Sequence, residues 1–193
     1  MFLRTFNISD WDVSSVTSME KMFQNAFDDI PFVVNWNAES LEIATRMFDS
    51  SNVNNVNLSN FKTTDNLKSI SQMFTGCSNL QEVNVSGLNT KNIGTWYGLF
   101  NNCTSLRTLD LSSLNTSSCL DIRNIFKGCN NIYIDLSCFF AYKVPTGKTF
   151  LYEDAFPETE GVTLKIPNSL LDLVRFNVDM SRYKIINVND DDY

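Results

Sequence analysis

A phenylalanine closes a short apolar run five times in this chain, at Phe23, Phe48, Phe74, Phe100 and Phe126, so the spacing is nearly constant along the repeat. A period of this length belongs to a stacked solenoid, in which each unit is too small to bury its own apolar face and must bury it against its neighbours. Such a chain is held to one elongated domain, with a core running along its axis and surfaces built from side chains that recur from coil to coil. The 43% hydrophobic content of the 193 residues is enough to fill that core.

Aligned on the closing phenylalanine, each unit has two halves. The first reads Leu-x-x-apolar-x-apolar-x-x-apolar, as at Leu80, Val83, Val85 and Leu88, and again at Leu106, Leu109, Leu111 and Leu114. Alternation at period two predicts a short strand with one face inward. The poorest example surrounds Pro31, Phe32 and Val33. The second half carries apolar residues three, three and one apart, as at Val16, Met19, Met22 and Phe23, or Ile93, Trp96, Leu99 and Phe100. That spacing predicts one face of a helix of two turns or fewer. The expected fold is therefore α/β, a solenoid with a parallel sheet on one face and short helices on the other.

Residues 1–139 are assigned to the solenoid, about five to six coils, and 140–193 to a C-terminal cap that departs from the repeat. In the cap, residues 163–166 and 183–188 read as strands. An amphipathic helix is expected over 167–177 through Leu170, Leu171, Leu173, Val174 and Phe176, started by a cap at Asn168 or Ser169.

The matched residues bring a family into view. Leu106-x-x-Leu109-x-Leu111-x-x-Leu114-Asn115 fits the leucine-rich repeat signature. The run from Trp11 to Phe23, together with Met73-Phe74-Thr75-Gly76-Cys77-Ser78-Asn79-Leu80, resembles the BspA-like leucine-rich repeat proteins, whose units carry Met-Phe, a small turn and then Cys-x-x-Leu. The resemblance covers roughly residues 3 to 139, and the first two repeats lack the cysteine. It implies a right-handed solenoid used as an adhesion or recognition surface in bacteria, their parasites and some viruses. It implies no catalytic residue and no cofactor.

The chemistry available in the chain points the same way. There is no histidine, which removes the commonest general base and the usual activator of a Ser or Cys nucleophile. Cys77, Cys103 and Cys129 recur at one position of successive repeats, a spacing that predicts a buried ladder of thiols and not the close pairs of a zinc site. Cys119 and Cys138 read as further small buried hydrophobes. Pro145-Thr146-Gly147-Lys148-Thr149 lacks the earlier glycine of a phosphate loop, since 142 is Tyr and 143 is Lys. With 22 acidic against 15 basic residues, net charge −7, and no basic run, a nucleic-acid partner is not expected. No apolar stretch reaches the roughly 20 residues of a membrane span.

Two surfaces remain as candidates. On the outer face of the sheet, Asn7, Phe32, Asn57, Asn84, Asp110 and Asp135 are expected to form a column, flanked by Thr5, Glu82, Thr108 and Tyr133 and by Ser9, Ser59, Ser86, Ser112 and Ser137. Parallel strands about 4.8 Å apart would align them into polar ladders suited to a protein or glycan ligand. At the N-terminal edge, Leu3, Phe6, Ile8 and Trp11 belong to the first coil, which is expected to dock on another subunit or virion protein. Two functional classes follow: a non-catalytic recognition or adhesion module, at a cell surface if a signal has been removed, or a structural or receptor-binding component of a virus particle assembled in the cytoplasm.

Overall fold

The computed structural model describes residues 8–26, 31–139 and 145–189. Among these residues seven strands carry the architecture: β1 (Pro31–Val33), β2 (Asn55–Asn57), β3 (Glu82–Asn84), β4 (Thr108–Asp110), β5 (Tyr133–Asp135), β6 (Thr163–Pro167) and β7 (Lys184–Val188). An α-helix, α1 (Asn168–Val174), and a 3-10 turn (Met180–Arg182) lie between β6 and β7. These strands pair in parallel, and the register follows the repeat: Val56 faces Phe32 and Val83, and Ile134 faces Leu109 and Leu164. The alternation read in the sequence places those residues inward, where Val56, Leu109, Ile134 and Leu164 are fully buried or nearly so. The chain is a parallel-stranded solenoid.

Its core is the predicted phenylalanine column. Ring centroids of Phe48 and Phe74, and of Phe74 and Phe100, lie 5.3 Å apart with planes within 4° of parallel, and Phe126 continues the stack at 6.3 Å from Phe100. All four rings are completely buried. Neighbouring coils thus present the same ring at the same height, and the fixed period keeps the stack in line.

The opposite face is not helical. In the described residues of the repeats, the expected short helices are replaced by consecutive β-turns. In the coil closed by Phe74, Met73 N donates to Ile70 O, Thr75 N to Gln72 O and Cys77 N to Phe74 O. The intervening amides reach across instead: Gln72 N donates to Tyr97 O, Phe74 N to Leu99 O and Gly76 N to Asn101 O. Gln72 and Gly76 have φ of 57° and 71°, as the third residue of a type II turn requires. The same pair of left-handed positions, two before and two after the closing phenylalanine, recurs at Lys21 and Asn25, Arg46 and Ser50, Gly98 and Asn102, and Asn124 and Gly128. An i, i+3 apolar spacing suits a turn chain as well as a helix. Inter-coil bonding decides between them, because every second N–H bonds to the next coil where an α-helix would keep it within the segment.

Beyond residue 139 the stack goes on. Ile122 N, Asn124 N and Phe126 N donate to Leu151 O, Glu153 O and Ala155 O, which continues the cross-coil ladder and puts Phe156, 4% exposed, in the closing position of a further coil. It stands further from Phe126 than the period would place it, because this coil is longer between Phe139 and Leu151. Helix α1 then covers β6 with Leu170 and Val174. It ends sooner than the periodicity suggested, so Phe176 falls outside it and is 79% exposed. Neither Asn168 nor Ser169 caps it: Pro167, still extended at the end of β6, takes that position and offers no side-chain bond.

The sheet is divided. Strands β1–β2–β3 form one ladder and β4–β5–β6–β7 another; among the described residues β3 and β4 do not pair, whereas the turn ladder on the far side crosses the gap without interruption. Val83 is half-buried there, although its equivalents Val56 and Leu109 are shut away.

Candidate binding surface

The outward residues of the strands form two files. Asn57 aligns with Asn84 on the first sheet, and Asp110 with Asp135 and Lys165 on the second. In the flanking file Asn55 aligns with Glu82, and Thr108 with Tyr133 and Thr163. Phe32 does not belong to the outer column. It is 3% exposed and packs edge-on against Phe48, 4.8 Å between centroids, while Val33 takes the outward place with 55% exposure. The shift arises because this coil is shorter than the others between its strand and its closing phenylalanine, and alternation at period two then exchanges the faces. Asn7 lies outside the described residues, as do Leu3 and Phe6 of the docking edge.

The column has a structural task. Oδ1 of Asn57, Asn84, Asp110 and Asp135 accepts a hydrogen bond from the backbone N of Ser59, Ser86, Ser112 and Ser137 respectively, at 2.9–3.0 Å. Each side chain thereby ends its strand and starts the following turn. This explains why the column holds only Asn and Asp in these coils. It leaves a second polar atom on each side chain, which in Asp135 is taken by Lys165 at 2.8 Å. In the flanking file the Asn55 side-chain amide donates to Glu82 at 2.7 Å. Burial opposes ionisation of Asp135, but the bonds from Lys165 and Ser137 outweigh it and hold the carboxyl below its ordinary range. Glu82, Asn84, Thr108 and Asp110 are exposed at the lips of the gap between the sheets, and Tyr133 is half-buried beside them.

At the N-terminal edge, Ile8 is buried and its carbonyl accepts a bond from Trp36 Nε1 at 2.9 Å. Trp11 is 41% exposed and stacks on Trp36 at 6.1 Å, and Met22 is exposed as well. The thiol ladder is present: Cys77, Cys103 and Cys129 are completely buried, and each Sγ donates to the carbonyl of the preceding closing residue, Phe48, Phe74 and Phe100, at 3.0–3.2 Å.

The family described as "Mycoplasma protein of unknown function, DUF285" matches residues 2–82 and again 52–158. The chain belongs to this family. The two matches in this DUF285 chain begin about two coils apart, and the second runs past residue 139 into the last coil. No curated protein and no solved structure matches it. Among the described residues no helix is long and apolar enough to cross a membrane.

One feature of the surface escaped the sequence reading. Ion pairs join neighbouring coils at Glu42 with Lys68, Asp65 with Lys91, and Lys127 with Asp154. Opposite charges about one repeat apart were the available signal, visible once charge is compared at the period of the phenylalanines.

Proposed function

We propose that this DUF285 chain is a non-catalytic recognition module of the BspA-like leucine-rich repeat type, displayed on a cell surface and binding a protein or glycan through the exposed face of its sheet. The observation that carries this reading is the register within each sheet: Asn55 and Asn57 align with Glu82 and Asn84 on the first, and Thr108 and Asp110 align with Tyr133 and Asp135 on the second, so a ligand lying across the two can meet several polar groups at once. Recurring Cys-x-x-Leu segments and the closing phenylalanines support the finer family placement. The reading is tested by screening the folded chain against arrays of glycans and of extracellular proteins, with Thr108→Arg and Tyr133→Arg as variants. Neither residue makes a turn-closing bond, so the fold should survive. A ligand lost in both variants supports the sheet face. A ligand that both variants retain, or a measurable turnover of a substrate, overturns the proposal.

A further inference from the structure

Two adjoining cavities lie between the last coil and the segment that follows α1, away from the sheet face. The larger, about 440 Å³, is lined by Phe150, Tyr152, Glu153 and Val178, among others, and the smaller, about 280 Å³, by Phe156, Glu158, Asp179 and Tyr183. They share Asp154, Asn177 and Val178 as a common wall. Bonds from coil to cap hold the groove open in one shape: Asn177 Nδ2 donates to Tyr152 Oη at 2.7 Å, and Tyr183 Oη donates to Pro157 O at 2.8 Å.

Each cavity joins a pair of aromatic rings to an excess of carboxylate. Phe150 and Tyr152 lie 6.4 Å apart in one, Phe156 and Tyr183 6.3 Å apart in the other. Asp154 is paired with Lys127 and Asp179 with Arg182, whereas Glu153 and Glu158 make no close ion pair among the described residues and meet only the longer-range charge of Arg123 and Lys127 respectively. The strongest donors of the lining are spent on the protein, since Arg182 faces Asp179 and the Asn177 amide faces Tyr152. What remains is acceptor-rich and negative, which repels anions and suits a ligand with donors and positive charge. Aromatic faces favour an organic cation. A metal ion is a poorer fit, because no three acidic or thiol groups among the described residues converge to hold one.

We propose that this groove binds a linear alkyl diammonium group. One ammonium lies by Glu153 and Asp154, the other by Glu158 and Asp179, and the methylenes cross Val178 between the ring pairs. A free polyamine and the neighbouring lysine side chains of a peptide both supply this chemistry. The test is calorimetric titration of the full chain with putrescine, spermidine and a dilysine peptide, beside butylamine and magnesium as controls, with the Tyr152 and Tyr183 ring signals followed by NMR. Saturable binding that moves both ring signals is expected, with the diammonium probes binding about tenfold tighter than butylamine and Glu153→Gln and Glu158→Gln each weakening it about tenfold, as for loss of one charge contact. Glu39→Gln, the same charge change at an exposed site in an early coil, should leave it unaltered. Binding by the peptide alone assigns the site to a protein partner, and binding by the free amines assigns it to a small molecule. No binding, equal binding of butylamine or magnesium, or equal loss in Glu39→Gln overturns the proposal, and none of these results bears on the sheet face.

Discussion

A thiol at the core of each middle coil bonds to the carbonyl of the closing phenylalanine one coil earlier, and Ser51 occupies the same place in the coil before Cys77. The position therefore selects a small side chain with a donor. Cys103→Ser should be nearly neutral, and Cys103→Ala should cost about 1 kcal/mol, the net value of one bond, by urea unfolding. Equal loss in both would show that volume alone matters. Burial also pushes the thiols up, Cys77 to about 11 and Cys129 to about 12, from an ordinary value of 9.0. Below pH 9 both folded and unfolded thiols keep their protons and stability is complete. As pH rises from there toward 11 or 12, only the unfolded chain ionises, so stability is lost at about 1.4 kcal/mol per pH unit for each thiol. Urea midpoints should be flat up to about pH 8.5 and fall beyond it, and replacing the three ladder cysteines by serine should flatten the alkaline limb.

At the scale of the element, the turn chain succeeds because some positions accept backbone geometry that others cannot. Gly128 has φ +78°, and a Cβ there would lie 2.1 Å from Asn102 Oδ1 of the previous coil. Gly87 is confined more severely: its Cβ would sit 2.0 Å from the carbonyl oxygen of Leu58, a backbone atom that cannot step aside. Gly87→Ala should cost about 3 kcal/mol, the upper end of overpacking penalties. Gly147, at positive φ as Gly87 is not but with open space around its missing Cβ, is the control for steric approach, and its alanine variant should lose only about 1 kcal/mol, from backbone strain alone. Thermal unfolding of the two variants decides the matter, and equal losses would remove steric approach as the reason for Gly87. The inter-coil ion pairs contribute far less, since they join exposed side chains.

For the whole molecule, stability is a sum over coils and the interfaces between them. Phe100 is stacked on both sides, by Phe74 and Phe126, so Phe100→Ala should cost about 3–5 kcal/mol. Phe23, 8% exposed in the first described coil, should cost less on the same substitution. Urea unfolding in which Phe23→Ala matches or exceeds Phe100→Ala would contradict a load shared along the column. The split between β3 and β4 belongs to this scale as well: one face is two sheets, the other an unbroken ladder of turns. Continuity along the axis at this point therefore rests on the turns and the rings, without strand pairing on the sheet face.

Periodicity alone determined the solenoid, the inward files and the phenylalanine column, because a regular repeat forces each residue to meet its own equivalent in the next coil. It determined the thiol ladder and the polar files from Asn57 to Asp135 for the same reason. Three things were decided only in three dimensions. The turns replaced helices because their alternate amides bond between coils, a choice invisible in a spacing that both structures share. Phe32 and Val33 exchanged faces because register is set by the neighbouring strand and not by the residue's own context. Phe156 took the closing position of a further, longer coil, where the stretched interval hid the match. The candidate site divides along the same line: its file of Asn and Asp was legible in the sequence, whereas the gap between the sheets and the groove beside the last coil exist only once the coils are stacked.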